Sequence, residues 1–174
     1  LYGPPGCGKT VMAVGIVNYI LNKFPQTYII WVTKYQNVLD SQFTDYNIKL
    51  WKKSSLLSND IKIIKRQDIN TIKDIIEGKT IVNCCTSTLR QNDNLLKDNL
   101  LGIVYDECHN LGHKSYEKLS KIALNTKLML GMSATPRENL SFYNLFGNAD
   151  ASDSPILGVV NNNNKINYLL DYSF

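Results

Sequence analysis

The octapeptide GPPGCGKT, Gly3 to Thr10, limits the folds open to this chain more than any other stretch of it. Its spacing, G-x-x-x-x-G-K-T, is that of a phosphate-binding loop running into a helix, with Gly3, Gly8, Lys9 and Thr10 at the fixed positions and Pro4, Pro5, Gly6 and Cys7 among the rest. Gly6 and Gly8 carry no side chain, so the backbone there can turn into a concave loop whose amides phosphate oxygens can approach. A helix starting near Gly8 aims its unpaired N–H groups and the positive end of its dipole at the same oxygens. In that arrangement Lys9 meets the β and γ phosphates of a nucleotide, and Thr10 offers its hydroxyl to Mg²⁺. The plainer reading is a Gly/Pro turn capping a helix, and the number of fixed positions met in 174 residues weighs against it.

Such a loop needs an α/β sheet to carry it, and the rest of the chain alternates apolar runs with helical patterns as a parallel sheet requires. Strands are expected at Thr27–Val32, Ile61–Lys65, Thr80–Cys85, Leu101–Asp106 and Lys127–Ser133. Helices are expected at Lys9–Leu21, Gln36–Asp45, Ile72–Glu77, near Asn94, at His113–Leu124 and at Arg137–Phe146. Of the strand that feeds the loop, only Leu1 and Tyr2 are in the sequence. After Phe146 the character changes: GNADASDSP reads as a linker, and from Glu138 onward four acids face one lysine. The expected organisation is one domain over residues 1–147 and a linker with the start of a further domain over 148–174, the chain reading as cut from a longer one.

Two further segments carry chemistry. VYDECHN, Val104 to Asn110, is an apolar strand ending in adjacent carboxylates, at the strand edge where open α/β sheets bind ligands. Asp106 suits Mg²⁺, as the acidic partner of a phosphate loop does, and Glu107 suits a water that must be oriented and deprotonated. Standing alone, the pair would be a strand end turning through solvated acids. MLGMSATPR, Met129 to Arg137, is another strand that stops in small hydroxyl residues, with Ser133 and Thr135 able to bridge the acids to a moving partner.

Taken in order, these segments resemble the superfamily-two helicases and translocases. GPPGCGKT is similar to their motif I, Asp106-Glu107-Cys108-His109 to motif II of the DExH type, and Ser133-Ala134-Thr135 to the coupling motif III. TKYQNVLDSQF is similar to motif Ia, which implies nucleic-acid contacts for Thr33, Lys34 and Gln42, and CTSTL implies the same for Thr86 and Ser87. The resemblance covers Leu1 to Gly147 and implies the first of two RecA-like domains of a Mg²⁺·ATP-dependent motor acting on DNA or RNA. It implies catalytic roles for Lys9, Asp106, Glu107 and His109, the last sensing the second domain, whose arginines are not in this sequence. The TPRENLSFYNLF segment is similar to that of Swi/Snf-type translocases, restriction-enzyme motor subunits and helicases of large DNA viruses, and with the Asn-rich bias it suggests a viral source.

Composition excludes little else. Nineteen basic and fifteen acidic residues leave a net charge of +4, too mild to establish nucleic-acid binding by itself. No apolar run reaches the roughly 18 residues a membrane span needs, so a soluble, intracellular protein without membrane contact is expected. Cys7, Cys84, Cys85 and Cys108 lack C-x-x-C spacing, and strand neighbours such as Cys84 and Cys85 point to opposite faces, so neither a structural metal nor a disulfide framework is expected. Trp31 is assigned to the core, WKKS at Trp51–Ser54 to a solvated face, and His113 to a helix start on the surface. Two other classes stay open: a P-loop ATPase indifferent to nucleic acid, and a nucleotide-binding module without turnover.

Overall fold

Residues 1, 3–65, 78–92, 95–96, 98–110 and 112–134 are described by a computed structural model. The expected helices at Ile72–Glu77, near Asn94 and at Arg137–Phe146, the residue Thr135, and the 147/148 boundary lie outside the described residues.

Five runs become strands, four of them because their residues are apolar and β-branched enough to be buried on both faces. They are β1 (Tyr28–Thr33), β2 (Lys62–Ile64), β3 (Thr80–Cys85), β4 (Leu100–Asp106) and β5 (Leu128–Met132). All pair in parallel, in the order β2-β3-β1-β4-β5. Every residue of β1, β3, β4 and β5 is buried, whereas the edge strand β2 is not. Continuous burial is what a parallel sheet covered on both faces requires.

Successive strand residues divide between two cores. Ile29 and Trp31 pack with α1 (Lys9–Lys23), with Leu39 of α2 (Gln36–Gln42) and with Trp51 of α3 (Asp45–Lys53). Tyr28, Ile30 and Val32 pack instead with Leu89 of α4 (Thr86–Gln91) and with Leu119 and Ile122 of α5 (His113–Ala123). The result is a three-layer α/β sandwich. Cys84 and Cys85 fall on opposite sides, as strand geometry dictates. In β4 the register slips by one residue against β1, between the pairs Tyr28↔Leu100 and Ile29↔Gly102. The slip puts Leu101 and Val104 in the same core, and by strand alternation Asp106 shares the α1 side with Val104.

Two local expectations need correction. The single helix expected at Gln36–Asp45 is broken at Phe43 and Thr44. Phe43 turns inward between Trp31 and Trp51, with ring centroids 5.2 and 5.6 Å away, and Thr44 starts a new helix by accepting the Asn47 N–H on its hydroxyl at 3.1 Å. Trp51 therefore lies in the core and not on a solvated face, 7% exposed, while Lys53 and Ser54 beside it are exposed. Trp31 is fully buried, as expected.

Candidate nucleotide site

The loop between the segment at residue 3 and α1 is shaped by its glycines. Gly6 and Gly8 have φ of 79° and 88°, a left-handed backbone that side chains other than glycine resist, and a Cβ at either would meet nothing within 4 Å. Their requirement is conformational. Gly3 differs: its φ is not left-handed, and a Cβ there would lie 2.7 Å from the Sγ of the exposed Cys7, a side chain that can turn aside. Gly8 also caps α1, which opens with no side-chain cap and no acid in its first turn, leaving its N-terminal amides to an anion. Lys9 reaches back across the loop, donating to the carbonyls of Gly3 at 2.7 Å and Pro4 at 2.9 Å.

β5 joins this loop to the acidic strand. The Ser133 N–H donates to the Leu1 carbonyl at 3.0 Å and the Gly3 N–H to the Ser133 carbonyl at 3.3 Å, continuing a parallel ladder beyond β5. On its other side β5 pairs with β4, Met132 facing Asp106. Ser133 thus stands between the phosphate loop and the acid pair.

Asp106 is 5% exposed, and this burial raises its carboxyl above the ordinary value despite hydrogen bonds from Gln42 and from the Glu107 amide that favour the charged form. The Gln42 Nε2 donates to Asp106 Oδ2 and lies 3.5 Å from Thr10 Oγ1. The chain bends sharply at Glu107, whose φ is +51°, with its N–H held on Asp106 Oδ1 at 2.9 Å. The next three residues, Cys108–Asn110, form a 3₁₀ turn. That turn brings the His109 Nδ1 to 3.2 Å from Glu107 Oε2 and 2.9 Å from Ser133 Oγ. The other ring nitrogen lies 2.9 Å from the Asn110 side-chain amide nitrogen. An amide nitrogen only donates, so in this arrangement Nε2 accepts and Nδ1 carries the proton that Glu107 and Ser133 share. The sequence points to Asn110 only through its place beside His109.

The five residues expected to meet nucleic acid fall into three sets. Lys34 and Ser87 are exposed, just past the ends of the paired strands β1 and β3. The Thr33 and Thr86 side chains are buried, and Thr86 Oγ1 is tied to the Thr33 carbonyl and the Tyr105 hydroxyl, each at 3.2 Å. Gln42 ends in the Thr10–Asp106 gap. The sequence could not show this, because the contact spans positions 42 and 106.

A protein-family model described as the type III restriction enzyme res subunit matches residues 1–138. No curated protein matches the chain by sequence. Among solved structures, the chain is similar to the UvsW helicase from bacteriophage T4, with a TM-score of 0.58 and 19% identity, over 79% of this chain and 47% of that one. The chain therefore spans about half the length of that helicase. Among the described residues no helix is long and apolar enough to cross a membrane. The strand order, the glycine loop and the family match over residues 1–138 lead to one assignment: the chain belongs to the type III restriction enzyme res-subunit family and has the RecA-like P-loop fold of a superfamily-two helicase domain.

Proposed function

We propose that the chain is the ATP-binding motor domain of an ATP-dependent DNA or RNA helicase or translocase. The observation that carries the reading is the convergence of Lys9, Thr10, Asp106, Glu107, His109 and Ser133 on one edge of the sheet, from three segments far apart in sequence. In this reading the glycine loop and the first turn of α1 hold the phosphate tail by its oxygens. Lys9 leaves the Gly3 and Pro4 carbonyls to face the β and γ phosphates.

Thr10 and Asp106 are the residues that would hold Mg²⁺, which when bound offsets charge on those phosphates. Two oxygens from the protein, with phosphate and water supplying the rest, suit a small cation that keeps several waters. Gln42 presents its Nε2, and not an oxygen, to these two groups, and its buried Oε1 has no hydrogen-bond partner among the described residues. Glu107 orients the attacking water and accepts its proton. His109 transmits the state of Glu107 to Ser133, and Ser133, Ala134 and Thr135 carry it to a second RecA-like domain. That domain contributes arginines that compensate the charge on the transferred phosphoryl group. Lys34 and Ser87 face the nucleic-acid backbone.

Calorimetry with Mg²⁺·ATP and AMP tests the phosphate assignment. Lys9→Ala should weaken ATP binding far more than AMP binding, since AMP lacks the groups Lys9 faces; equal losses overturn it. In a chain that includes the second domain, Glu107→Gln should bind ATP and fail to hydrolyse it. ATP turnover indifferent to added DNA and RNA would favour a P-loop ATPase of another kind.

A further inference from the structure

Gln42 is mounted more firmly than a surface helix end requires. Its carbonyl accepts the Asn47 side-chain amide at 2.9 Å, and the neighbouring Ser41 carbonyl accepts the same amide at 3.1 Å. The next residue, Phe43, is 2% exposed and wedged between two tryptophans. The side chain leaves this mount and ends in the gap between Thr10 and Asp106, giving the hydrogens of one nitrogen to a carboxylate and a hydroxyl. Its oxygen is buried and accepts nothing among the described residues. A neutral amide thus fills, with the partial positive charge of its N–H groups, the place where these two oxygens call for a cation.

We propose that Gln42 is a place-holder for the divalent cation, bridging Asp106 and Thr10 until the cation arrives and rotating aside to admit it. The inference rests on the reading of Thr10 and Asp106 as the cation's ligands. Bridging keeps the buried carboxylate hydrogen-bonded, which a buried charge requires. It also leaves the amide oxygen without a partner among the described residues, so the bridge yields to a stronger competitor. Because the backbone at Gln42 is fixed by Asn47 and Phe43, the release falls on the side chain.

Manganese is the probe, with ADP as the nucleotide and the whole chain as the protein. Electron paramagnetic resonance should show Mn²⁺ binding about tenfold more tightly to Gln42→Ala and to the similarly sized Gln42→Met than to the unsubstituted chain, the factor expected when one charge-assisted hydrogen bond no longer competes. ADP affinity in the presence of a chelator should not change. Asp106→Ala should abolish Mn²⁺ binding; if it does not, the ligand assignment fails and the place-holder with it. If Asp106→Ala abolishes binding but both Gln42 variants bind Mn²⁺ as the unsubstituted chain does, or more weakly, the place-holder alone is overturned. In the unsubstituted chain, proton exchange at the Gln42 side-chain amide should quicken when Mg²⁺ and ADP are added. A rate that Mg²⁺ leaves unchanged also overturns the proposal.

Discussion

Replacing Glu107 by alanine and by glycine separates the cost of its backbone from the worth of its side chain. With φ at +51°, Glu107 holds a left-handed conformation that disfavours an L-residue by about 1–2 kcal/mol and glycine not at all. Both substitutions delete the same contact, the 3.2 Å approach to His109, which at 35% side-chain exposure is screened and worth little. Both keep the N–H that Asp106 Oδ1 accepts at 2.9 Å, so the bend itself is held in each. Glycine's greater freedom in the unfolded chain takes back about 0.4–1 kcal/mol. Glu107→Gly should therefore be more stable than Glu107→Ala by roughly 0.5–1 kcal/mol. For a chain of 174 residues that corresponds to a melting point about 1–4 °C higher. Urea titration followed by tryptophan fluorescence is a suitable assay, since Trp31 and Trp51 both report the core. Equal stability of the two variants, or a more stable alanine variant, would refute the view that this site stores backbone strain to aim its carboxylate.

Gly102 makes a second test, because a Cβ there would lie 2.3 Å from the Leu128 carbonyl oxygen and 2.5 Å from the Leu128 Cβ. Gly102→Ala should force β4 from β5, lowering stability by about 3 kcal/mol or more, and should weaken nucleotide binding measured on the fraction that still folds; a variant as stable as the parent would show the register to be wrong. Stability should also fall in alkali through the buried thiols, since burial holds Cys108 up to about 12 and raises Cys84 as well, while the unfolded thiols ionise near 9.0. Their contribution is complete below pH 9.0 and declines as the pH rises towards the folded value, by about 1.4 kcal/mol per pH unit for each thiol. Cys108→Ala should remove one share of that slope in denaturant titrations between pH 9 and 10.5.

Four of the five strands were legible within a residue or two because doubly covered parallel strands are unbroken apolar runs, a signal that depends on no distant partner; β2, at the sheet edge, was legible from its short isoleucine-rich run. The glycine loop was legible because its backbone demands particular residues at fixed intervals. What escaped was set by long-range packing. The break between α2 and α3 follows from Phe43 entering the gap between Trp31 and Trp51, although Thr44 followed by Asp45 had the chemistry of a helix start. α4 begins at Thr86, where the sequence shows only the end of a strand, and the Thr86 hydroxyl is tied to the Thr33 carbonyl of β1 and the Tyr105 hydroxyl of β4, partners that no local pattern announces. The motif Ia resemblance groups Gln42 with Thr33 and Lys34, and it carries no sign of the contacts that the Gln42 side chain makes with positions 10 and 106.

The place of β5 between the glycine loop and β4 has a consequence for the order in which the site is completed during synthesis. The ribosome releases the loop first and Asp106 later, but the main-chain ladder that joins them runs through Ser133. At about 5–20 residues per second, a nascent chain spends seconds with its phosphate loop and acidic strand both made and that joining strand still inside the exit tunnel. Over that interval Asp106 presents an unpaired strand edge, and nucleotide can lend no stability through a ladder that does not yet exist. Chains arrested just before β5 should be more readily cut by protease and gain little protection from ATP, whereas chains released a short way past Ser133 should acquire both resistance and nucleotide protection together.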